Sequence, residues 1–167
     1  MTITKMHIDF RIEPPTEADV PAILRLIKGL AEYERMADEV VATEQRLRDT
    51  LFGPRRFAEV VIGYAGTEPV GFAVFFHSYS TFLAAPGLYL EDIFVEPGRR
   101  GRGLGRQLLE YVARAAVVRG CGRLEWSVLD WNEPAIGFYT RLGAHPMDGW
   151  TVYRMTGDAL AALAGGS

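Results

Sequence analysis

Hydrophobic positions change their spacing along the chain, and each change marks an element. Val20, Ile23, Leu24, Ile27, Leu30 and Ala31 recur on one helical face, which predicts a helix from 20 to about 35. Thr16 and Asp19 stand where a capping box would open it. Before it, positions 7–12 alternate as a first strand would, and after it 43–51 predicts a short helix stopped by Gly53-Pro54. From 57 the pattern turns to that of strands rich in aromatic and β-branched residues. Residues 57–65 and 70–79 predict a hairpin about Gly66-Thr67-Glu68-Pro69, followed by a loop over 80–87 and a strand over 88–95. Leu104, Leu108, Val112, Ala115 and Ala116 restore helical spacing over 104–119, with Gly120 as the stop. Leu124, Trp126 and Val128 then alternate with Glu125 and Ser127 in a strand over 124–129. Residues 134–142 predict a short helix, and 150–155 a closing strand ahead of a frayed Ala/Gly tail.

These elements sum to an α+β fold, a mixed and mostly antiparallel central sheet with helices on both faces. The chain of 167 residues suits one domain with a single core. Hydrophobic residues at 49% and charged residues at 23% are the balance of a globular protein and exclude a disordered one. Apolar runs such as 72–76 fall far short of the ~20 residues that span a bilayer, and no signal peptide opens the chain, so no membrane partner is expected. Cys121 is the sole cysteine, which fits a reducing compartment and an expectation of the cytoplasm.

Net charge is -3 with a pI near 5.6, which argues against nucleic acid as a partner. Against that background Arg99, Arg100, Arg102 and Arg106 crowd around Gly101, Gly103 and Gly105. The loop lacks the Lys-Ser/Thr ending of a Walker motif. Its G-x-G-x-G spacing is also not the G-x-G-x-x-G of a dinucleotide fingerprint. What remains is a run of backbone N–H groups, bare at the glycines, on a helix N-terminus: a nest for a pyrophosphate with arginines to add charge-assisted contacts.

Arg100-Gly101-Arg102-Gly103-Leu104-Gly105 resembles the R/Q-x-x-G-x-G/A signature of GNAT acetyltransferases. The surroundings extend the resemblance: 89–95 before the loop, 131–136 with Phe138-Tyr139 after it, and 23–28 with Tyr33-Glu34 toward the N-terminus. Together they are similar to the spermidine/spermine N-acetyltransferase branch, which includes thialysine acetyltransferases, from Arg11 to about Ala164.

That resemblance implies a GNAT-like fold with acetyl-CoA as cosubstrate, held in a V-shaped opening where strands 88–95 and 124–129 splay apart. It puts the backbone of Ile93, Phe94 and Val95 on the pantetheine arm. Arg100, Gly101, Arg102, Gly103, Leu104, Gly105 and Arg106 go to the pyrophosphate, and Asn132, Glu133, Pro134 and Ala135 to the opposite wall. It also implies a homodimer. Around the acceptor amine it places Tyr33, Glu34, Ser80, Glu91, Asp92, Glu125, Trp126, Ser127 and Asp148. Ser80-Thr81 stands where polyamine acetylators carry an aspartate, and Leu129-Asp130 resembles the thialysine branch more closely, so a lysine-like acceptor competes with a polyamine.

The chemistry needs a neutral amine, a donor for the developing oxyanion and a proton for the departing thiolate, and no metal. The resemblance makes Glu91 the base, directly or through water, and Tyr139 the acid. Without it Tyr139 reads as packing beside Phe138, and Glu91 as a solvated strand-end carboxylate. His7, His77 and His145 lack metal-binding spacing, and Cys121 has no local His partner, so no metal site and no thiol nucleophile is assigned. A protein lysine or N-terminus as acceptor stays open, as does a non-catalytic acyl-CoA-binding module.

Overall fold

The computed structural model describes residues 10–166, in two compact units that divide between Leu129 and Asp130. The first strand, β1 (Phe10–Glu13), falls at the end of the expected 7–12 segment, of which 7–9 lie outside the described residues.

In the first unit β2 (Glu59–Ala65), β3 (Glu68–Ser80) and β4 (Ala85–Val95) follow β1 as an antiparallel meander. β5 (Leu124–Trp126) joins parallel to β4, giving the order β1-β2-β3-β4-β5. A parallel neighbour requires a crossover, supplied by α3 (Leu104–Val118). α1 (Val20–Tyr33) covers the other face. Its Ile23, Leu26 and Leu30 close on Val60, Ile62, Phe72 and Phe94, and the rings of Phe72 and Phe94 meet edge-on at 6.4 Å. The residue beside Phe72, Gly71, turns to the α3 face, where a side chain would run into Leu104.

Local chemistry sets the ends of these elements. The Thr16 N–H donates to Asp19 Oδ2 at 2.7 Å, making the expected capping contact one turn before α1. The segment expected as a helix over 43–51 forms α2 (Glu44–Leu47), capped by the Thr43 hydroxyl, and then widens into a π turn, Arg48–Phe52. The loop expected over 80–87 is shorter. Ser80 pairs with Ala85, and the turn between them is held by the Leu83 N–H on Ser80 Oγ at 3.2 Å, with Ala84 at a φ of 48°. Pro86 and Gly87, breakers by propensity, stay in β4, and at Gly87 a Cβ would come 2.6 Å from Ser78 Oγ.

The second unit holds α4 (Glu133–Arg141) and α5 (Gly157–Leu163), the latter within the tail expected to fray. The closing strand expected over 150–155 is absent. Its residues have strand propensity, but no neighbouring strand pairs with them among the described residues, and propensity alone does not make a strand. Among the described residues no helix is long and apolar enough to cross a membrane.

Candidate active site

The site begins with an irregularity in β4. Ile93 faces Ala73 and Asp92 faces Val74, but the next pair is Leu90 with Phe75, so Glu91 has no cross-strand partner. This is a β-bulge, and it reverses which residues face which layer. Leu90 shares the α3 face with Phe75, over which Arg119, the cap of α3, lies at 5.8 Å. Beyond the bulge Asp92 and Phe94 share the α1 face with Val74 and Phe72. Unbroken alternation would put Asp92 on the α3 side with buried Leu88 and Leu90.

The bulge also ends the parallel ladder. Leu88, Tyr89 and Leu90 pair with Leu124, Glu125 and Trp126, and no further β4–β5 pair follows. The stretch expected to hold the pantetheine arm, Ile93 to Val95, is on the unladdered part of β4.

Asp92, on the α1 face, feels the charges of two other carboxyl groups, its neighbour Glu91 and Glu34 at the end of α1. Burial, followed by the charges of Glu91 and Glu34, pushes the Asp92 carboxyl up to about 6. Burial also raises the Glu34 carboxyl from its ordinary value. Glu34 caps α1, and the helix ends as a Schellman turn in which the Met36 N–H reaches the Ala31 carbonyl at 2.8 Å. Arg35 takes the left-handed position, φ 62°, that glycine usually fills. That turn brings Tyr33 and Glu34 to the middle of β4.

The other acceptor-side residues are more scattered. The Tyr89 hydroxyl and Ser127 Oγ lie 2.8 Å apart, and Glu125 is ion-paired with Arg123 at 2.7 Å. Trp126 ends β5. Ser80 closes the far hairpin turn opposite Ala85, roughly 20 Å along β4 from Glu91 at the usual rise of a strand. Asp148 belongs to the second unit.

The glycine-arginine loop leaves β4 under tight control. The Glu96 N–H bonds the Val70 carbonyl at 2.9 Å, Arg25 pairs with Glu96 and reaches the Pro69 carbonyl at 2.7 Å, and Arg99 pairs with Glu68 at 2.6 Å. Arg106 is occupied by Glu110 at 2.8 Å. Arg102 is exposed and, among the described residues, has no hydrogen-bond, ion-pair or ring partner. Gly101 at φ 73° and Gly103 at φ 91° turn the backbone into the N-terminus of α3. A Cβ on Gly101 would meet nothing within 4 Å, and one on Gly103 only Gln107 Nε2 at 4.0 Å, so the hollow above the loop is open. Open space at the N-terminus of α3, whose first-turn backbone N–H groups have no partner within the helix, fits a pyrophosphate.

Arg100 behaves differently from its neighbours. Its Nε donates to the Val95 carbonyl at 2.8 Å, and its guanidinium lies 4.3 Å from the centre of the Tyr33 ring and 5.5 Å from that of Phe94. Tyr33 also lines a cleft of about 980 Å³ beside α1, with Arg25, Lys28, Glu32, Glu96 and Gly98.

In the second unit Asn132 Oδ1 accepts the Ala135 N–H at 3.3 Å and caps α4, with Pro134 in its first turn. Tyr139 follows on the same helix, its ring 5.4 Å from that of Phe138.

Residues 23–144, which span the bulge, the loop and α4, match the family described as Acetyltransferase (GNAT) family. The chain belongs to the GNAT acetyltransferase family. It is an acetyl-CoA-dependent N-acetyltransferase. It is 38% identical to the thialysine N-epsilon-acetyltransferase of Bos taurus, over 92% of this chain and 96% of that one. It is 35% identical to an L-ornithine N5-acetyltransferase of Arabidopsis thaliana, over 92% and 87%. Among solved structures it resembles an integron cassette protein from the mobile metagenome of V. cholerae, with a TM-score of 0.77 and 26% identity over 93% of this chain and 97% of that one.

Two positions that shape this GNAT acetyltransferase carry no chemistry of their own. Gly63 and Gly71 form a slot that seats Leu104, and through it the loop. Glycines inside two adjacent strands are the sequence signal of such a close approach. Among the described residues no group of His, Cys, Asp and Glu is arranged to hold a metal ion.

Proposed function

We propose that this acetyltransferase transfers the acetyl group of acetyl-CoA to the primary amine of a small cationic acceptor, a thialysine-like amino acid or short diamine ahead of a long polyamine. The observation that carries this reading is the approach of Glu34, at the cap of α1, to Asp92 and its neighbour Glu91 where β4 leaves β5. The charges of Glu91 and Glu34 add to burial in raising the cost of ionising Asp92, and a cation among them lowers that cost. The names of the two relatives, acting on thialysine and ornithine, agree with an acceptor bearing a second charge.

In this reading the loop from Gly101 to Arg106 takes the pyrophosphate, the backbone of Ile93 to Val95 the pantetheine arm, and Asn132 to Ala135 the opposite wall. The family match runs across both units, which supports treating them as one acetyltransferase domain. A thioester is an activated acyl donor, so the protein's task is positioning and proton transfer. An alkylamine has a pKa near ~10.4 and arrives protonated, so a base must take its proton. Glu91, freed from the ladder by the bulge, does so through water. Tyr139 returns a proton to the leaving thiolate. A homodimer in the cytoplasm completes the proposal.

The test is a thiol-release assay with acetyl-CoA across thialysine, lysine, ornithine, putrescine, spermidine, spermine and a peptide panel. The expected order places thialysine or a short diamine above spermine in kcat/KM. Reaction with peptides alone would overturn the small-amine reading and leave the family assignment intact.

A further inference from the structure

We propose that Arg100 is a positioning residue that ties the acceptor wall at Tyr33 to the cofactor loop; the inference rests on the small-amine reading above. Arg100 opens the loop signature and by motif alone belongs to the pyrophosphate. Its Nε–H and the face of its guanidinium, however, are engaged within the protein. Nε is spent on the Val95 carbonyl at 2.8 Å, and the guanidinium plane is engaged by the Tyr33 ring at 4.3 Å with Phe94 at 5.5 Å. One residue thereby joins the last residue of α1, the end of β4 and the start of the loop. Tyr33 adjoins Glu34 in the strained turn at Arg35, so whatever steadies Tyr33 also steadies the acidic wall.

The neighbouring arginines sharpen the assignment. Arg99 and Arg106 are ion-paired within the protein, and Arg102 has no partner among the described residues. Arg102 is thus the arginine of this loop without a competing protein contact, while Arg100, through Nε and its stacked face, transmits the position of the loop to the acceptor side.

Arg100→Lys separates the two roles. Lysine keeps the charge a phosphate contact needs, but it loses the Nε–H and the planar face that stacks on tyrosine. The expected result is an acceptor KM raised about 5- to 20-fold with acetyl-CoA affinity by calorimetry within about threefold, the pattern of lost acceptor positioning with coenzyme binding intact. Tyr33→Leu should reproduce the rise, Tyr33→Phe should recover most of it by restoring the ring, and the Arg100→Lys/Tyr33→Leu double variant should be no worse than either alone. An unchanged acceptor KM in Arg100→Lys, or a double variant whose losses add, would overturn the inference while the small-amine reading stands. So would acetyl-CoA affinity lost about tenfold in Arg100→Lys with acceptor KM untouched. If Arg100→Lys does not fold, the Tyr33→Leu and Tyr33→Phe pair decides, since equal KM values in the two would overturn it. A wild-type enzyme that acetylates no small amine removes the reading and the inference together.

Discussion

Gly63 on β2 and Gly71 on β3 face each other in register, and Leu104, the first residue of α3, fills the space their missing side chains leave. A Cβ on Gly63 would come 2.7 Å from Leu104 Cδ1, and one on Gly71 would come 2.8 Å from the Phe94 carbonyl. A leucine tip can move, whereas a strand carbonyl cannot without disturbing the ladder. Gly71→Ala should therefore destabilise the protein more than Gly63→Ala, by ~1–3 kcal/mol, measured by denaturant unfolding. Both should weaken acetyl-CoA binding, because Leu104 anchors the loop.

Asp92 sets a pH dependence whose sign follows from its raised pKa. Below pH ~3 folded and unfolded chains both hold the proton; above that the unfolded chain ionises first, and as pH rises through about 6 the folded chain must ionise a buried group. Its contribution to stability is thus present in acid and lost between about pH 4 and 7, a difference on the order of 3 kcal/mol. Asp92→Asn should be more stable than wild type at pH 8 and gain only about a third as much at pH 4.5, read from thermal or denaturant melts at the two pH values. The same variant should raise acceptor KM. A wild-type protein whose stability changes from pH 4.5 to 8 to the same extent as that of Asp92→Asn would refute the raised pKa of the buried Asp92.

The loop should respond to backbone and charge separately. At Gly103, φ 91° is closed to a β-branched residue, so Gly103→Val must rearrange the start of α3 and should cost at least about tenfold in acetyl-CoA affinity. Arg102→Ala leaves the backbone alone and should weaken binding with a shallower dependence on salt, since an exposed charge–phosphate contact is screened. Calorimetry at two ionic strengths measures both.

Tyr139→Phe should lower kcat by about 10- to 10⁴-fold, the range for a lost general acid, with acetyl-CoA affinity little changed. Asn132→Ala should act through stability instead, removing the cap of α4 at a cost of ~1 kcal/mol. Steady-state kinetics on both variants, with melts as control, distinguish the roles. Wild-type turnover in Tyr139→Phe would reduce Tyr139 to a packing partner of Phe138.

The sequence by itself determined what depends on near neighbours. The helical faces of α1 and α3 are read from residues three and four apart, the turn at Gly66 from adjacent residues, and the open loop from glycines at 101 and 103, where positive φ excludes other side chains. The motif about the loop, read together with the segments before and after it, was enough to point to the family that the match over 23–144 shows. Tertiary structure alone decided what depends on register and on distant partners. Simple alternation through 88–95 puts Leu90 and Asp92 on one face; the bulge at Glu91 separates them, and it exists only through pairing with β3. The residues 150–155 have the composition of a strand and no neighbour to pair with, and α5 forms where a frayed tail was expected. Arg100 carries the motif, yet its side chain is claimed by Tyr33, sixty-seven positions earlier in the sequence. A side chain's partner is chosen by proximity in space, and proximity across such a separation follows from the packing of α1 on the sheet, which no local pattern encodes.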